Sequence, residues 1–183
     1  MPISLTSPNA FNYYAGGGSV KIQRPSDTMQ NDAGYVQAFE VTPKATILDH
    51  FNARTGIRQK DMSIVIEISG ELAMTMEEWT ATNMSLVLMG AETDVTGTAT
   101  AVTATIQIFT LGVQLCHVTF TGFNTAGPQW TVDLPTVQVS PSKTLQFISE
   151  TKWGQIDVTG AILGVYDSKS NTFNFGTAVA TFP

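Results

Sequence analysis

The chain has few of the residues that build metal-centred or covalent chemistry. Its 183 residues include one cysteine, Cys116, and two histidines, His50 and His117. A single cysteine cannot form a disulfide within the chain. Cys116 and His117 are adjacent, so in a strand they point to opposite faces and are poorly placed to act together. The sequence therefore predicts no metal site, no cofactor and no enzymatic activity.

Charged residues are also scarce. They make up 13% of the sequence, whereas 43% of the residues are hydrophobic, and the net charge is −6. This charged fraction is low for a monomer that stays soluble by itself, so it favours a surface that is partly covered by other protein. An acidic chain is poorly suited to binding nucleic acid by charge attraction.

Long apolar runs are absent, which excludes a membrane-spanning helix. The first residues have neither the basic region nor the apolar core of a secretory signal, so we expect synthesis in a cytoplasm and no membrane partner. Residues 1–10 contain Pro2 and Pro8 and show little periodicity. This segment is predicted to be an extended N-terminal arm that a partner orders.

The clearest positive pattern is an alternating run at residues 62–74. The isoleucines of residues 64–68 occupy even positions, and Glu67 and Glu71 occupy odd positions. A period of two predicts a strand with one buried face and one wet face. We expect the isoleucines to face the core and the two glutamates to face the opposite way.

Residues 76–89 have the pattern of a helix. Thr75 and Glu78 form a T-x-x-E sequence, which is typical of a capping box at a helix start. Trp79 and Leu86 fall on one helical face, so both are expected in the core.

The remainder of the chain has short alternating runs and frequent turn signals, a pattern typical of a sandwich or barrel. A parity shift near Cys116 predicts a β-bulge. Residues 91–101 are rich in Thr, Ala and Gly and are interpreted as a linker. The prediction is a single mainly β domain over residues 1–183, a β-sandwich or open barrel with one flanking α-helix.

Residues 44–61 are the longest polar connection. Thr42 and Pro43 precede it, and Pro43 is expected to end strand pairing because proline cannot donate to a ladder. Connections of this length inside a compact domain are usually functional or disordered. The sequence predicts a long loop here.

Basic residues are concentrated in this connection. It holds four of the nine Lys and Arg residues, whereas residues 61–142 hold none. The loop either pairs with its own body or docks on the acidic body of another subunit, since complementary charge sets orientation and partner choice. We expect the second arrangement.

An ordered set of short motifs runs through the first half of the chain. They are Asn12-Tyr13-Tyr14, Gly16-Gly17-Gly18, Gly34-Tyr35-Val36, Phe39-Glu40-Val41-Thr42-Pro43, Asp49-His50-Phe51, Thr55-Gly56-Ile57-Arg58-Gln59-Lys60-Asp61, and Met76-Glu77-Glu78-Trp79-Thr80 with Asn83 and Leu86. In their order, these elements resemble the tail tube (major tail) proteins of long-tailed bacteriophages. After residue 90 the chain matches that family only in kind. The resemblance implies a β-sandwich with one helix, assembled as stacked hexameric rings around a lumen that conducts DNA during ejection.

The resemblance also implies a set of partners and a place in the virion tail. The partners would be other copies of the chain, the tape measure protein, the tail terminator and tail-tip or baseplate proteins, while DNA passes without specific binding. It implies that the connection at 44–61 makes contacts between subunits. The expected contact residues are Lys44, Asp49, His50, Phe51, Arg54, Arg58 and Lys60. Glu67 and Glu71 are expected to face the lumen or a neighbouring subunit.

Two alternatives remain open at the level of sequence. A tube protein of a bacterial type VI or extracellular contractile injection system would share the fold. A carbohydrate-binding β-sandwich would belong to a different class, with Trp130, Trp153 and Tyr166 as stacking platforms.

Overall fold

The structure, a computed structural model, describes residues 9, 12–54, 56–98, 101–125 and 127–182. The extended N-terminal segment predicted at residues 1–10 lies outside the described residues except for Asn9. The elements are β1 (Gly16–Gln23), β2 (Asn31–Asp32), β3 (Val36–Asn52), β4 (Gln59–Met76), α1 (Ala81–Val87), β5 (Ala91–Thr98), β6 (Ala101–Gln107), β7 (Gln114–Asn124), β8 (Gln129–Pro141), β9 (Ile156–Ile162), β10 (Val165–Asp167), β11 (Thr172–Asn174) and β12 (Thr177–Thr181).

Most strands form one antiparallel sheet that curls into an open barrel. Its order is β2-β1-β7-β8-β9-β4-β3, and β12 is added beside β8. The ends of the sheet approach each other, because β1 and the start of β3 line one pocket. Phe39 of β3 stacks on Phe120 of β7 with 5.0 Å between ring centroids. The predicted mainly β fold, a β-sandwich or open barrel with one helix, is confirmed.

One face of this sheet is buried inside the barrel. Alternate residues of β1, β4, β7, β8 and β9 point inward, as the period of a strand requires, and they pack with apolar residues of α1. The most buried of these apolar side chains are Val20, Ile22, Leu72, Met74, Met76, Leu86, Val87, Cys116, Val118, Leu134, Val137, Val139, Ile156, Val158 and Ile162.

Two local predictions about the strands have opposite outcomes. The bulge expected near Cys116 is confirmed, since the β7–β8 register shifts between Cys116 and Val118. The linker expected at residues 91–101 is wrong for its described part, because β5 pairs with β6 as a hairpin. Threonine-rich sequence is compatible with a strand, and the composition alone did not show this.

The helix is shorter than predicted. It covers Ala81–Val87 instead of residues 76–89, and its N-cap is Thr80, whose hydroxyl accepts a hydrogen bond from the Asn83 amide at 3.2 Å. Leu86 is buried as expected. Among the described residues, no helix has the length and apolar character needed to cross a membrane.

The predicted capping box at Thr75 is wrong because β4 continues through this position. Thr75 pairs with Asp157 of β9, and its hydroxyl donates to the Asp157 carboxylate at 2.6 Å. The carboxylate of Glu78 accepts instead from the Tyr35 amide at 2.9 Å. Strand pairing therefore outweighs the local preference for a helix start, a common outcome for propensity arguments.

Trp79 lies in the segment between β4 and α1, not on the helix. Its ring is half-buried against the core. The indole N–H donates to the Gly154 carbonyl at 3.1 Å, and Phe147 meets the ring edge-on with 5.3 Å between centroids. Trp79 thus attaches the connection before β9 to the body of the barrel.

A buried arginine joins α1 to the barrel. Arg24 is only 8% exposed, and its guanidinium donates to the Asp27 carboxylate at 2.9 Å and to the Ser85 hydroxyl. A carboxylate oxygen of Glu92 lies 3.2 Å from the same guanidinium. Burial raises the pKa of Asp27, but the hydrogen bonds from Arg24 outweigh that effect, so the pKa lies below its ordinary value.

Candidate assembly surface: a projecting hairpin

β3 and β4 form one long antiparallel hairpin that extends beyond the barrel. The ladder runs from the pair Val36 and Met76 to the pair Asn52 and Gln59. β9 pairs with β4 only as far as Gly70. Over residues 44–69, here named the arm, the two strands pair only with each other among the described residues.

The long loop predicted at residues 44–61 is therefore wrong as local structure. β3 continues through Pro43, which lies opposite Gly70 in the ladder. Proline is tolerated here because β3 is an edge strand, where one row of N–H groups faces no neighbouring strand.

The arm ends in a tight turn. Gly56 has a φ of +86°, a conformation that glycine adopts without steric cost. Its amide donates to the Ala53 carbonyl at 3.1 Å, and the Arg54 amide donates to the Asn52 side chain at 2.9 Å. Arg54 and Arg58 flank this turn at the tip of the arm.

Two bulges change which side chains share a face of the arm. Residues directly opposite each other in an antiparallel ladder lie on one face. Ile66 and Asp61 of β4 have no opposite residue, because the register shifts between Thr46 and Ile47 and between His50 and Phe51. After each extra residue, the β4 side chains nearer the tip of the arm point to the face opposite to the one that strict alternation predicts.

The bulge at Ile66 breaks the strict alternation that was expected for this strand. Val65 lies opposite Ile47 on the face continuous with the barrel core, whereas Ile64 lies opposite Leu48 on the other face. The expectation that Ile64, Ile66 and Ile68 are buried in the core is wrong for the single chain, although Ile68, opposite Ala45, lies on the face continuous with the core. All three are 49–64% exposed, because the arm extends past the body that would cover them.

The arm carries large apolar side chains on both faces. Each of them is at least 41% exposed, although strand residues with this composition are usually buried on at least one face. They are Ile47, Leu48, Phe51, Ile57, Met62, Ile64, Val65, Ile66 and Ile68. Such a concentration of exposed apolar surface is typical of an interaction site.

The seven predicted contact residues all lie on the arm, and several pair within it. Lys60 contacts the Asp49 carboxylate at 2.7 Å, and Ser63 donates to the same carboxylate at 2.6 Å. These hydrogen bonds hold the pKa of Asp49 below its ordinary value. His50 lies 2.6 Å from the Asp61 carboxylate.

The two glutamates of β4 also find partners inside the arm region. Glu71 pairs with Lys44, and Glu67 accepts from the Thr46 hydroxyl at 3.3 Å. Both glutamates lie on the face opposite to the barrel core, as the alternation predicted for this part of the strand. The lysines thus follow the first of the two arrangements considered for the basic residues, pairing within their own chain.

The arginines at the tip behave differently. Arg58 places its guanidinium over the ring of Phe51, 4.7 Å from the centroid. Among the described residues, neither Arg54 nor Arg58 has a carboxylate within salt-bridge distance. Their positive charges at the tip of the arm are therefore not neutralised by a carboxylate of the described residues.

The residues of the alternative hypotheses are dispersed over the fold. Trp130 belongs to β8, Trp153 to the connection before β9, and Tyr166 to β10, where it contacts Phe173. Among the described residues, no group of three His, Cys, Asp or Glu is placed to hold a metal. Cys116 is fully buried, and burial raises the pKa of its thiol to about 12.

The fold and this surface define a β-barrel protein with a projecting apolar hairpin. Residues 13–110 match the profile of a family described as "Protein of unknown function UCP028589". The match covers more than half of the chain, including the whole arm and α1, so the chain belongs to this family. No curated protein matches the chain.

Proposed function

We propose that the chain is a structural subunit that assembles with copies of itself into a tube of the phage-tail kind. In this proposal six copies form a ring, and stacked rings enclose a lumen that conducts DNA. The observation that carries the proposal is the arm, which exposes nine large apolar side chains, eight on its two strands and Ile57 in the turn, without any covering element in the described part of the chain.

The energetics of the arm favour burial against another protein. Covering the remaining exposed area of these side chains contributes about 1 kcal/mol each, or on the order of 10 kcal/mol together. Bringing two proteins together costs an estimated 4–15 kcal/mol in lost freedom. A single arm therefore supports modest association, and a closed ring that repeats the contact supports a stable assembly.

The unpaired strand edges of the arm also favour association with another copy of the chain. Beyond Gly70 both β3 and β4 present unpaired backbone groups along their outer edges, among the described residues. Exposed edges are templates for pairing with another chain. Pairing between neighbouring copies would satisfy these groups and extend the sheet from subunit to subunit.

The outer face of the arm suits the wall of a channel. Glu67 lies on this face, and Glu71 lies on the same face of β4 at the base of the arm, where it pairs with Lys44. The chain as a whole carries a net charge of −6. A wall with an excess of carboxylates would repel the densely charged phosphates of DNA, so DNA would pass without adhering. The tape measure protein, the tail terminator and tail-tip proteins would be the other partners of such a tube.

The experiment measures assembly by size-exclusion chromatography with light scattering over a range of protein concentrations. Ile47→Thr with Val65→Thr makes an opposing pair of the arm polar while keeping β-branched residues in both strands. The matched control is Met29→Thr with Ile148→Thr, which changes two exposed apolar residues outside the arm. We expect assembly of the wild type and the control, and loss of assembly in the arm variant.

Two results would contradict the proposal. One is a wild type that stays monomeric at every concentration. The other is an arm variant that is folded by circular dichroism and assembles as well as the wild type.

A further inference from the structure

A cleft opens where the arm leaves the barrel. Its position follows from the way in which other strands pair with the two edges of β8. One edge of β8 is occupied by β7. Along its other edge β9 pairs with the part from Val137 to Pro141, and β12 pairs with the part from Gln129 to Asp133. β9 and β12 therefore lie end to end in a single row of the sheet.

β4 is the next strand of the sheet beyond this row, but within the row it pairs only with β9 and not with β12. It pairs with β9 up to the contact between Gly70 and Ile162. Past that point β12 has no strand on its far edge, and β4 has none on its near edge, among the described residues. Two unpaired strand edges thus flank the space between β12 and the base of the arm.

The space between these edges is a mainly apolar cleft of about 260 Å³. It is lined on the arm side by residues such as Pro43 and Ile68, at its floor by Leu134 and Ile162, and on the β12 side by Ala178. A strand added to either edge would point alternate side chains into the cleft. Pockets of this kind select extended segments with alternating apolar residues.

The chain itself contains a segment with that pattern. Residues 2–8 read Pro-Ile-Ser-Leu-Thr-Ser-Pro, so Ile3 and Leu5 alternate with Ser4 and Thr6. Proline cannot donate to a ladder, which confines pairing to the five residues between Pro2 and Pro8. β12 offers an edge of five residues, Thr177–Thr181.

We propose that the cleft binds residues 3–7 of a second copy of the chain as an added strand, with Ile3 and Leu5 directed inward. The proposal rests on self-assembly as proposed above and names the surface that receives the neighbour. The chain's own N-terminus enters β1, which β7 and β8 separate from β12. A neighbouring copy supplies the segment from the open side of the cleft without crossing these strands.

The first test uses a fluorescent peptide of residues 1–8 and a protein that lacks residues 1–8. We expect saturable binding by fluorescence anisotropy. A peptide with Ser4→Pro should bind at least about tenfold more weakly, because proline removes a backbone N–H from the middle of the segment and cannot donate to a ladder. A peptide with Ile3→Ser and Leu5→Ser should also bind weakly. Absence of binding, or equal binding of the three peptides, overturns the proposal.

The second test locates the bound segment and identifies its source. A Leu5→Cys chain is mixed with an Ala178→Cys chain and oxidised, and Ser4→Cys replaces Leu5→Cys as the control of opposite parity. Native Cys116 is fully buried and should not react. We expect linked dimers that form several-fold faster with Leu5→Cys. A monomer-sized cross-link in a chain carrying both cysteines, with no linked dimer in the mixture, overturns the second copy as the source.

The outcomes separate this inference from the proposed function. Peptide binding and linked dimers without larger assemblies would support the strand addition and contradict the tube. If the variant that lacks residues 1–8 assembles as the wild type does, and the peptide does not bind, the result would support the tube and contradict the strand addition.

Discussion

Pro43 lies directly opposite Gly70 across the β3–β4 ladder, and this pair marks the row at which the hairpin leaves the barrel. Gly70 is also the last residue of β4 that pairs with β9. A side chain at Gly70 would come within 3.1 Å of the Ile162 side chain, so this row is tightly packed. Beyond it the strands have no sheet neighbour among the described residues, which explains the exposure of the arm.

Charge reversal at the arm tip should block assembly and leave the subunit folded. Arg54→Glu with Arg58→Glu removes the cation over Phe51, which costs about 0.5–1 kcal/mol at an exposed site. If the two guanidinium groups meet carboxylates of a neighbour, reversal turns attraction into repulsion. Particle size by light scattering, beside circular dichroism of the same sample, measures both effects.

The matched control for the tip is Lys152→Glu with Lys169→Glu, two reversals at exposed positions away from the arm. This variant should assemble as the wild type does. Higher salt should weaken wild-type assembly if the contact is partly exposed. Normal assembly of the arginine variant would exclude a docking role for the tip.

Trp79→Ala should lower the free energy of unfolding by about 2–3 kcal/mol. Emptying a fully buried aromatic site costs roughly 3–5 kcal/mol, and Trp79 is only half-buried. Trp79→Phe keeps most of the packing but loses the hydrogen bond to Gly154, so a loss of about 1 kcal/mol is expected. Denaturant titration measures both values. Equal midpoints for all three proteins would mean that Trp79 does not hold the connection to the barrel.

Asp27 should make the subunit sensitive to acid. Its pKa in the folded protein is below the ordinary 3.8, so its stabilising effect is complete above that value and is lost as the pH falls through the folded pKa. Asp27→Asn should therefore be less stable at pH 7, by about 1–3 kcal/mol, and should lose less stability between pH 5 and pH 2.

Thermal unfolding at a series of pH values tests this prediction. Glu150→Gln removes an exposed carboxylate as the control and should reproduce the wild-type profile. An Asp27→Asn profile parallel to that of the wild type would show that the contact with Arg24 does not contribute to acid sensitivity.

The barrel could be predicted from the sequence because apolar and polar residues alternate along strands that are buried on one face. The run at residues 62–74 is a strand, and the bulge near Cys116 was visible as a shift of parity. The helix start was missed because Thr75 satisfies its hydroxyl with Asp157, a residue far away in the sequence. Local capping patterns contain no information on such long-range pairing.

The arm was missed for a different reason. Pro43 and the basic residues that follow it are typical of a loop, and the apolar residues among them were too few to outweigh that signal. The isoleucines of β4 were assigned to the core, since a sequence shows which residues avoid water but not what covers them. The seven residues predicted to make contacts nevertheless lie on one projecting element, because all of them belong to the same hairpin.

Electron microscopy of the purified full-length wild-type protein, raised to high concentration at low salt, tests the central claim most directly. We expect hollow tubes with a regular axial repeat and sixfold symmetry in end views, with the arm at the contacts between subunits. Folded monomers alone under these conditions, with the arm accessible to protease at every concentration, would contradict it.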